Sequence, residues 1–217
     1  MTATLSDIVT ILQSIAPDSL AEDWDNVGLQ IGQARWPVKH IRVALDPMPA
    51  ILSAATEAGA DLLVTHHPLF FKPLKCIDLD TPLGQMVDRA LHHRLAVYAA
   101  HTNLDRVACG LNDMLADRIG LTELKPLDSP AETGFGEGAS STAAPEGLGR
   151  VGRLASPTTL EGLALKLKHR LALDHLRIAG DPGLSVGRVA ICTGSGSSLF
   201  DRFLNSGADV YISGDLR

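Results

Sequence analysis

Asp61-Leu62-Leu63-Val64-Thr65-His66-His67-Pro68 runs an apolar strand directly into two adjacent histidines. A second apolar run, Leu95-Ala96-Val97-Tyr98-Ala99-Ala100, also ends in a histidine and continues as His101-Thr102-Asn103-Leu104-Asp105. Between the two, Pro82 to Arg94 has the spacing of an amphipathic helix. Strand, helix and strand then form a crossover unit whose strands are parallel neighbours. Parallel strands end on one edge, and ligands of open α/β sheets collect beyond those carboxyl ends. His66, His67, His101 and Asp105 are thereby carried towards one crevice, and imidazoles together with a carboxylate suit a metal ion.

The rest of the chain extends the same plan. Upstream, Ile41 to Leu45 reads as a strand ending at Asp46-Pro47, followed by a helix from Ala50 to Ala58 that Gly59 terminates. Asp46 is a candidate for a further ligand, for a partner behind a ligand, or for a loop cap, with the cap preferred. The chain opens with a helix from Thr4 to Ala16, capped by Thr4 or Ser6 and stopped by Pro17. In Glu22-Asp23-Trp24-Asp25-Asn26-Val27-Gly28, the chemistry predicts a turn in which Asp25 and Asn26 cap backbone amides and Trp24 packs beneath.

Downstream, Gly110 to Ile119 reads as a helix closed by Gly120. From Pro126 to Gly149 the composition shifts to Pro, Gly, Ser, Ala and Glu, as in a flexible linker or loop. A second unit starts with a strand at Arg150 to Leu154, then a helix capped by Thr158 or Thr159 and reaching Leu171. Strands follow at Leu176 to Ala179 and Val189 to Cys192. The loop Thr193-Gly194-Ser195-Gly196-Ser197-Ser198 leads into a helix from Leu199 to Asn205, and a last strand runs from Asp209 to Asp215. The expected fold is α/β, with a first domain over 1–125, a linker over 126–149, a second unit over 150–217, and largely parallel sheets flanked by helices.

Composition narrows the function. The 217 residues are 45% hydrophobic and 20% charged, enough to bury a full core, and the net charge of −6 offers no basic face for nucleic acid or membrane. No apolar run approaches the ~20 residues of a membrane span, and the first residues lack a leader pattern, so a cytoplasmic location is expected. Cys76, Cys109 and Cys192 have neither metal-finger nor redox spacing and read as reduced, structural thiols.

Adjacent residues of a strand point to opposite faces, so His66 and His67 suggest two ions side by side rather than one. His101 and Asp105 would add a nitrogen and a carboxylate able to bridge both ions. Mixed nitrogen and oxygen ligands suit zinc, iron, manganese or cobalt better than calcium. His92 and His93 fall late in a helix and read as surface residues. The glycine loop at 194–196 could cradle phosphate at a helix start and serve as a substrate loop, although it lacks the lysine of a Walker loop and the dinucleotide fingerprint. Ser195 lacks a nucleophile elbow, since position 197 is Ser.

Trp24-Asp25-Asn26-Val27-Gly28-Leu29, Thr65-His66-His67-Pro68, His101-Thr102-Asn103-Leu104-Asp105 and Gly194-Ser195-Gly196 occur in the order found in the GTP cyclohydrolase I type 2 homologue family, also called NGG-interacting-factor-three-like proteins. The chain resembles that family from Leu5 to Asp215, the linker apart. The resemblance implies two interlinked α/β domains, a toroidal homohexamer, and two divalent metal ions per subunit facing the inner cavity, with His66, His67, His101 and Asp105 at ligand positions. It also implies a segment after the strand Tyr211-Ile212-Ser213-Gly214-Asp215 that adds another histidine and a glutamate. The sequence ends at Arg217, and a missing tail is expected. The function so implied is a dinuclear metal-dependent hydrolase, of GTP cyclohydrolase or phosphoesterase type, acting on a nucleotide-like or phosphorylated small molecule. The alternative from another class is a non-catalytic metal-binding regulatory or interaction protein that forms a ring. Asp25, Asp46 and Asp215 are candidates for a general base only through strand-end placement.

Overall fold

The computed structural model describes residues 2–128 and 146–217. They fall into two compact units, Met1–Leu104 and Asp105–Arg217.

The first unit opens with α1 (Leu5–Ile15), whose start is a reciprocal capping box at Thr4. The Asp7 carboxylate accepts from the Thr4 N–H and hydroxyl, both at 2.8 Å, and the Thr4 hydroxyl accepts from the Asp7 N–H. The backbone bond, then the hydroxyl bond, hold the Asp7 carboxyl below its ordinary value of 3.8. A carboxyl lowered by folding contributes stability that is complete above the ordinary value and is lost as pH falls through the lowered one. Thermal melts of the parent and Asp7→Asn are therefore expected to separate at neutral pH and converge in strong acid. A separation independent of pH would assign the cap's contribution to shape instead of charge.

Next come β1 (Gly28–Ile31), β2 (Ile41–Ala44), α2 (Pro49–Glu57), β3 (Leu62–Thr65), α3 (Pro82–His92) and β4 (Ala96–Ala99). The sheet order is β1-β4-β3-β2. β2, β3 and β4 are parallel, with Leu62 beside Ala96 and Thr65 beside Ala99, while β1 runs antiparallel to β4. Leu63 and Val97 pack with Leu52 of α2 and Val87 of α3, whereas Leu62, Ala96 and Tyr98 pack with Leu5 of α1. Both faces of β3 and β4 are therefore covered, which is why their sequences are unbroken apolar runs without polar alternation. The equal ends of β3 and β4 place the histidines that follow them together.

A short helix, α4 (Thr102–Arg106), leads into the second unit, which continues with α5 (Leu111–Ile119), β5 (Leu121–Pro126), β6 (Arg150–Thr159), α6 (Leu160–Arg170), β7 (Ser185–Ser195), α7 (Phe200–Asn205) and β8 (Val210–Asp215). Gly120 closes α5 in the left-handed conformation at φ 79°, and its N–H reaches the carbonyls of Ala116 and Asp117. The sheet order is β5-β6-β7-β8, with only β7 and β8 parallel. The α/β class holds, but both sheets are mixed and the second is mainly antiparallel. The strand expected at Leu176–Ala179 does not form. Instead the chain after α6 returns to that helix's own start, where Leu160 N–H donates to Leu184 and Glu161 N–H to Pro182. β7 then begins beside the end of β6, with Ser185 opposite Thr159, and so runs antiparallel to it.

Ala116, Ile119 and Leu121, which the sequence groups with residues 1–125, pack here with Leu154, Leu163 and Ile191. At the margins of the expected linker, Leu127 is buried and Leu148 packs against the same cluster as Val151 and Ala190. The remainder of that linker, including Phe135, lies outside the described residues. Among the described residues no helix is long and apolar enough to cross a membrane.

Candidate metal centre

β3 stops at Thr65, and the Thr65 hydroxyl donates to the His67 carbonyl at 2.8 Å, bending the chain back on itself. His66 N–H still donates to Ala44 and His67 N–H to Leu45 of the neighbouring strand's end, while Ala100 N–H donates to Thr65. The histidines thus leave the sheet on a fixed backbone. Their ring centroids lie 5.0 Å apart, and the His101 ring lies 5.0 Å from His66 and 5.4 Å from His67. One ligand nitrogen from each of the three rings falls within 4.8 Å of the others. The expectation that His66 and His67 diverge is not met. Alternation governs strand residues, and both histidines lie in the bend beyond the strand.

Each ring is held from behind. His66 Nδ1 is 2.9 Å from the Ala100 carbonyl, His67 Nδ1 is 2.6 Å from Asp46 Oδ1, and His101 Nδ1 is 2.8 Å from Asp25 Oδ1. A carbonyl or an ionised carboxylate only accepts, so each Nδ1 carries a proton, and in the neutral ring it is Nε2 that carries the lone pair. That tautomer, fixed by an outer acceptor, is the one found in metal-ligating histidines. Burial, reinforced by the neighbouring His101 and His67 and only partly offset by the Ala100 bond, pushes the His66 imidazolium down, which favours the neutral ring.

The two carboxylates behind the rings differ. The Asp46 side chain is 45% exposed, and Asp25 is fully buried. Asp25 also accepts from the Asn26 N–H at 2.8 Å, from the Thr102 N–H at 3.1 Å and from the Thr102 hydroxyl. Burial alone would raise its carboxyl, but the bonds from His101, Thr102 and Asn26 outweigh it and hold the group below the ordinary carboxylate range. Asp25 therefore does cap backbone amides as the sequence predicts, and in addition it orients His101. Asp46 orients His67, which replaces the preferred assignment of a loop cap. Trp24 does not pack beneath the turn: it is 57% exposed, with Phe71 5.7 Å away.

Three convergent imidazoles of fixed tautomer make a group that could hold a metal ion, and nitrogen donors of this kind suit zinc, iron or cobalt. Asp105 belongs to the second unit and is buried. Its carboxylate accepts from the Thr193 hydroxyl at 3.1 Å and its carbonyl from Asn112 Nδ2 at 2.9 Å. The glycine loop lies in that unit too. Gly196 N–H donates to the Asp215 carbonyl and the Gly196 carbonyl accepts from the Tyr211 hydroxyl, so both backbone groups of this residue are spent on β8. Asp215 pairs with Arg217 on the surface. His92 and His93 are exposed at the carboxyl end of α3, as expected.

The family described as Duf34/NIF3 (NGG1p interacting factor 3) matches residues 3–217. A Streptomyces coelicolor protein named GTP cyclohydrolase 1 type 2 homolog is 37% identical over 98% of this chain and 73% of its own length. A Clostridium perfringens protein of the same name is 36% identical over 97% of this chain and 77% of its own. Among solved structures, a Bacillus cereus protein related to NIF3 superposes with a TM-score of 0.87 at 25% identity, covering 100% of this chain and 84% of that one. The histidine motifs, the fold that brings them together and the near-complete match lead to one assignment: this chain is a member of the Duf34/NIF3 family.

Proposed function

We propose that the protein is a metal-dependent hydrolase of a nucleotide-like or phosphorylated small molecule, with two divalent ions per subunit. The observation that carries the metal centre is the trio of imidazoles whose Nδ1 atoms are all engaged by acceptors and whose ligand atoms converge within 4.8 Å; the second ion rests on the resemblance of the histidine and Asp105 motifs to the family pattern. His66, His67 and His101 are the proposed nitrogen ligands. Asp105 is the proposed carboxylate ligand, on the strength of its place in the His101-Thr102-Asn103-Leu104-Asp105 motif. Divalent ions at such a centre supply Lewis-acid activation of water and neutralise charge developing on a carbonyl or phosphoryl oxygen. The chain's own part is to fix the donors: Asp25, Asp46 and the Ala100 carbonyl hold three rings in the ligating tautomer. The name GTP cyclohydrolase 1 type 2 homolog, which the two relatives share, supports a hydrolytic reaction on a nucleotide.

Elemental mass spectrometry tests the reading. The parent is expected to carry about two ions per subunit after reconstitution, and the His66→Ala/His101→Ala double variant to lose them. Undiminished metal in the double variant would overturn the ligand assignment. A screen of nucleotides and phosphoesters then follows on the loaded protein. Full metal content with no turnover on any of them would favour a metal-binding regulatory protein over a hydrolase.

A further inference from the structure

Only 4% of the residues are aromatic, yet two of the largest stand exposed beside the histidine cluster. Trp24 is 57% and Phe71 51% exposed, although rings of this size normally enter cores. Their centroids are 5.7 Å apart at a 45° tilt, and they lie 6.1 Å and 6.4 Å from the His101 ring. Phe70, one residue earlier, packs on the core around Leu52 and Leu63.

The exposure is built in by the loops that carry the rings. Asn26 Nδ2 donates to the Phe70 carbonyl, and the Gln30 side-chain oxygen accepts from the Phe70 N–H at 3.1 Å. Gln30 Nε2 in turn donates to the Asn26 carbonyl at 3.0 Å. Both backbone groups of Phe70 are thus tied to the segment bearing Trp24. Between Trp24 and Asn26, Asp25 is bonded to His101 and Thr102. Two apolar rings are therefore held in water, at a fixed distance from a metal-binding group, by polar side chains whose bonds are spent on that placement.

We infer that Trp24 and Phe71 form a stacking platform for a planar aromatic ring of the substrate, such as a nucleobase, and so set the specificity of the histidine centre. This rests on the hydrolase reading proposed above. The rings are too close to admit a third between them, so the ligand ring lies on their outer surface. A flat π-face gains from such contact whatever its hydrogen-bond pattern, and a phosphorylated sugar without a base gains nothing. Trp24 and Phe71 are positioning residues in this scheme and touch no metal.

Calorimetric titration of the metal-loaded protein with AMP, GMP and ribose 5-phosphate tests the platform. The parent is expected to bind the two nucleotides about tenfold or more tightly than ribose 5-phosphate, and Trp24→Ala and Phe71→Ala each to lose on the order of tenfold in nucleotide affinity alone. Trp24→Phe should keep most of the preference, because it keeps a π-face. Equal binding of nucleotide and sugar phosphate by the parent, or an unchanged preference in both alanine variants, overturns the platform. A change of oligomeric mass in Trp24→Ala by light scattering, with the preference intact, also overturns it and makes the rings a subunit contact. Metal content of each sample separates the two hypotheses. If the parent holds no metal, the hydrolase reading fails, and adenosine and guanosine titrated into the same three aromatic variants decide the platform by itself.

Discussion

Replacing Asp25 with alanine is expected to weaken metal binding by about 10- to 100-fold, the range for removing the acceptor behind a metal-bound histidine. The Asp25 side chain is wholly buried, so water has no ready route to the place it vacates. His101 Nδ1, the Thr102 N–H and hydroxyl, and the Asn26 N–H would lose their acceptor together. Each buried donor left unmet costs about 1–3 kcal/mol, and the ring loses both its tautomer and its direction. Asp46 provides the control. It performs the same service for His67 but is nearly half exposed, so solvent can replace its oxygen, and Asp46→Ala should cost only a few-fold. Competition with a chelating dye measures both affinities. Equal losses in the two variants would show that burial of the acceptor does not decide its worth.

The second large effect concerns stability and lies in the other unit. Asp113→Ala is expected to destabilise by about 3–5 kcal/mol in urea unfolding, because it strands a buried charge. The Arg150 guanidinium is completely buried and meets Asp113 in two parallel bonds of 2.7 and 2.6 Å. Its remaining N–H groups reach the carbonyls of Gly147, Gly149 and Val107. Backbone carbonyls solvate a guanidinium but do not neutralise it, so the carboxylate cannot be removed alone. Arg150→Met combined with Asp113→Leu removes charge and counter-charge together and should be milder than Asp113→Ala. If the double variant is instead the less stable, the pair contributes more than the desolvation it requires.

The fold and the meeting of the three histidines were legible because they depend on short-range pattern. An apolar run, a helix and a second apolar run dictate a parallel pair, and a parallel pair sends His66 and His101 to one edge whatever else the chain does. The outer acceptors were not legible in the same way. Asp25 meets His101 across 76 residues and Asp46 meets His67 across 21, and no local period records either pairing. The convergence of His66 and His67 was hidden for a different reason: it turns on the strand ending one residue before the doublet, through the Thr65 hydroxyl bond, and strand ends are the least determined part of a sequence pattern. The second sheet's direction likewise depended on the return path through 171–184, whose apolar segment Leu176–Ala179 has strand composition but connects instead of pairing. Trp24 was misplaced because burial is the default for its ring, and only Asn26 and Gln30, acting through the Phe70 backbone, hold Phe71 beside it outside the core.

The three rings do not have the same company behind them. His67 and His101 lean on carboxylates, and His66 leans on a neutral peptide carbonyl. A carboxylate pushes electron density through the imidazole towards the opposite nitrogen, and a carbonyl does so much less. An ion among these nitrogens would therefore meet an uneven ligand field, with two electron-rich donors and one plainer one. Substitution can change the first two acceptors, at positions 25 and 46, whereas the carbonyl behind His66 belongs to the main chain and survives replacement of the Ala100 side chain.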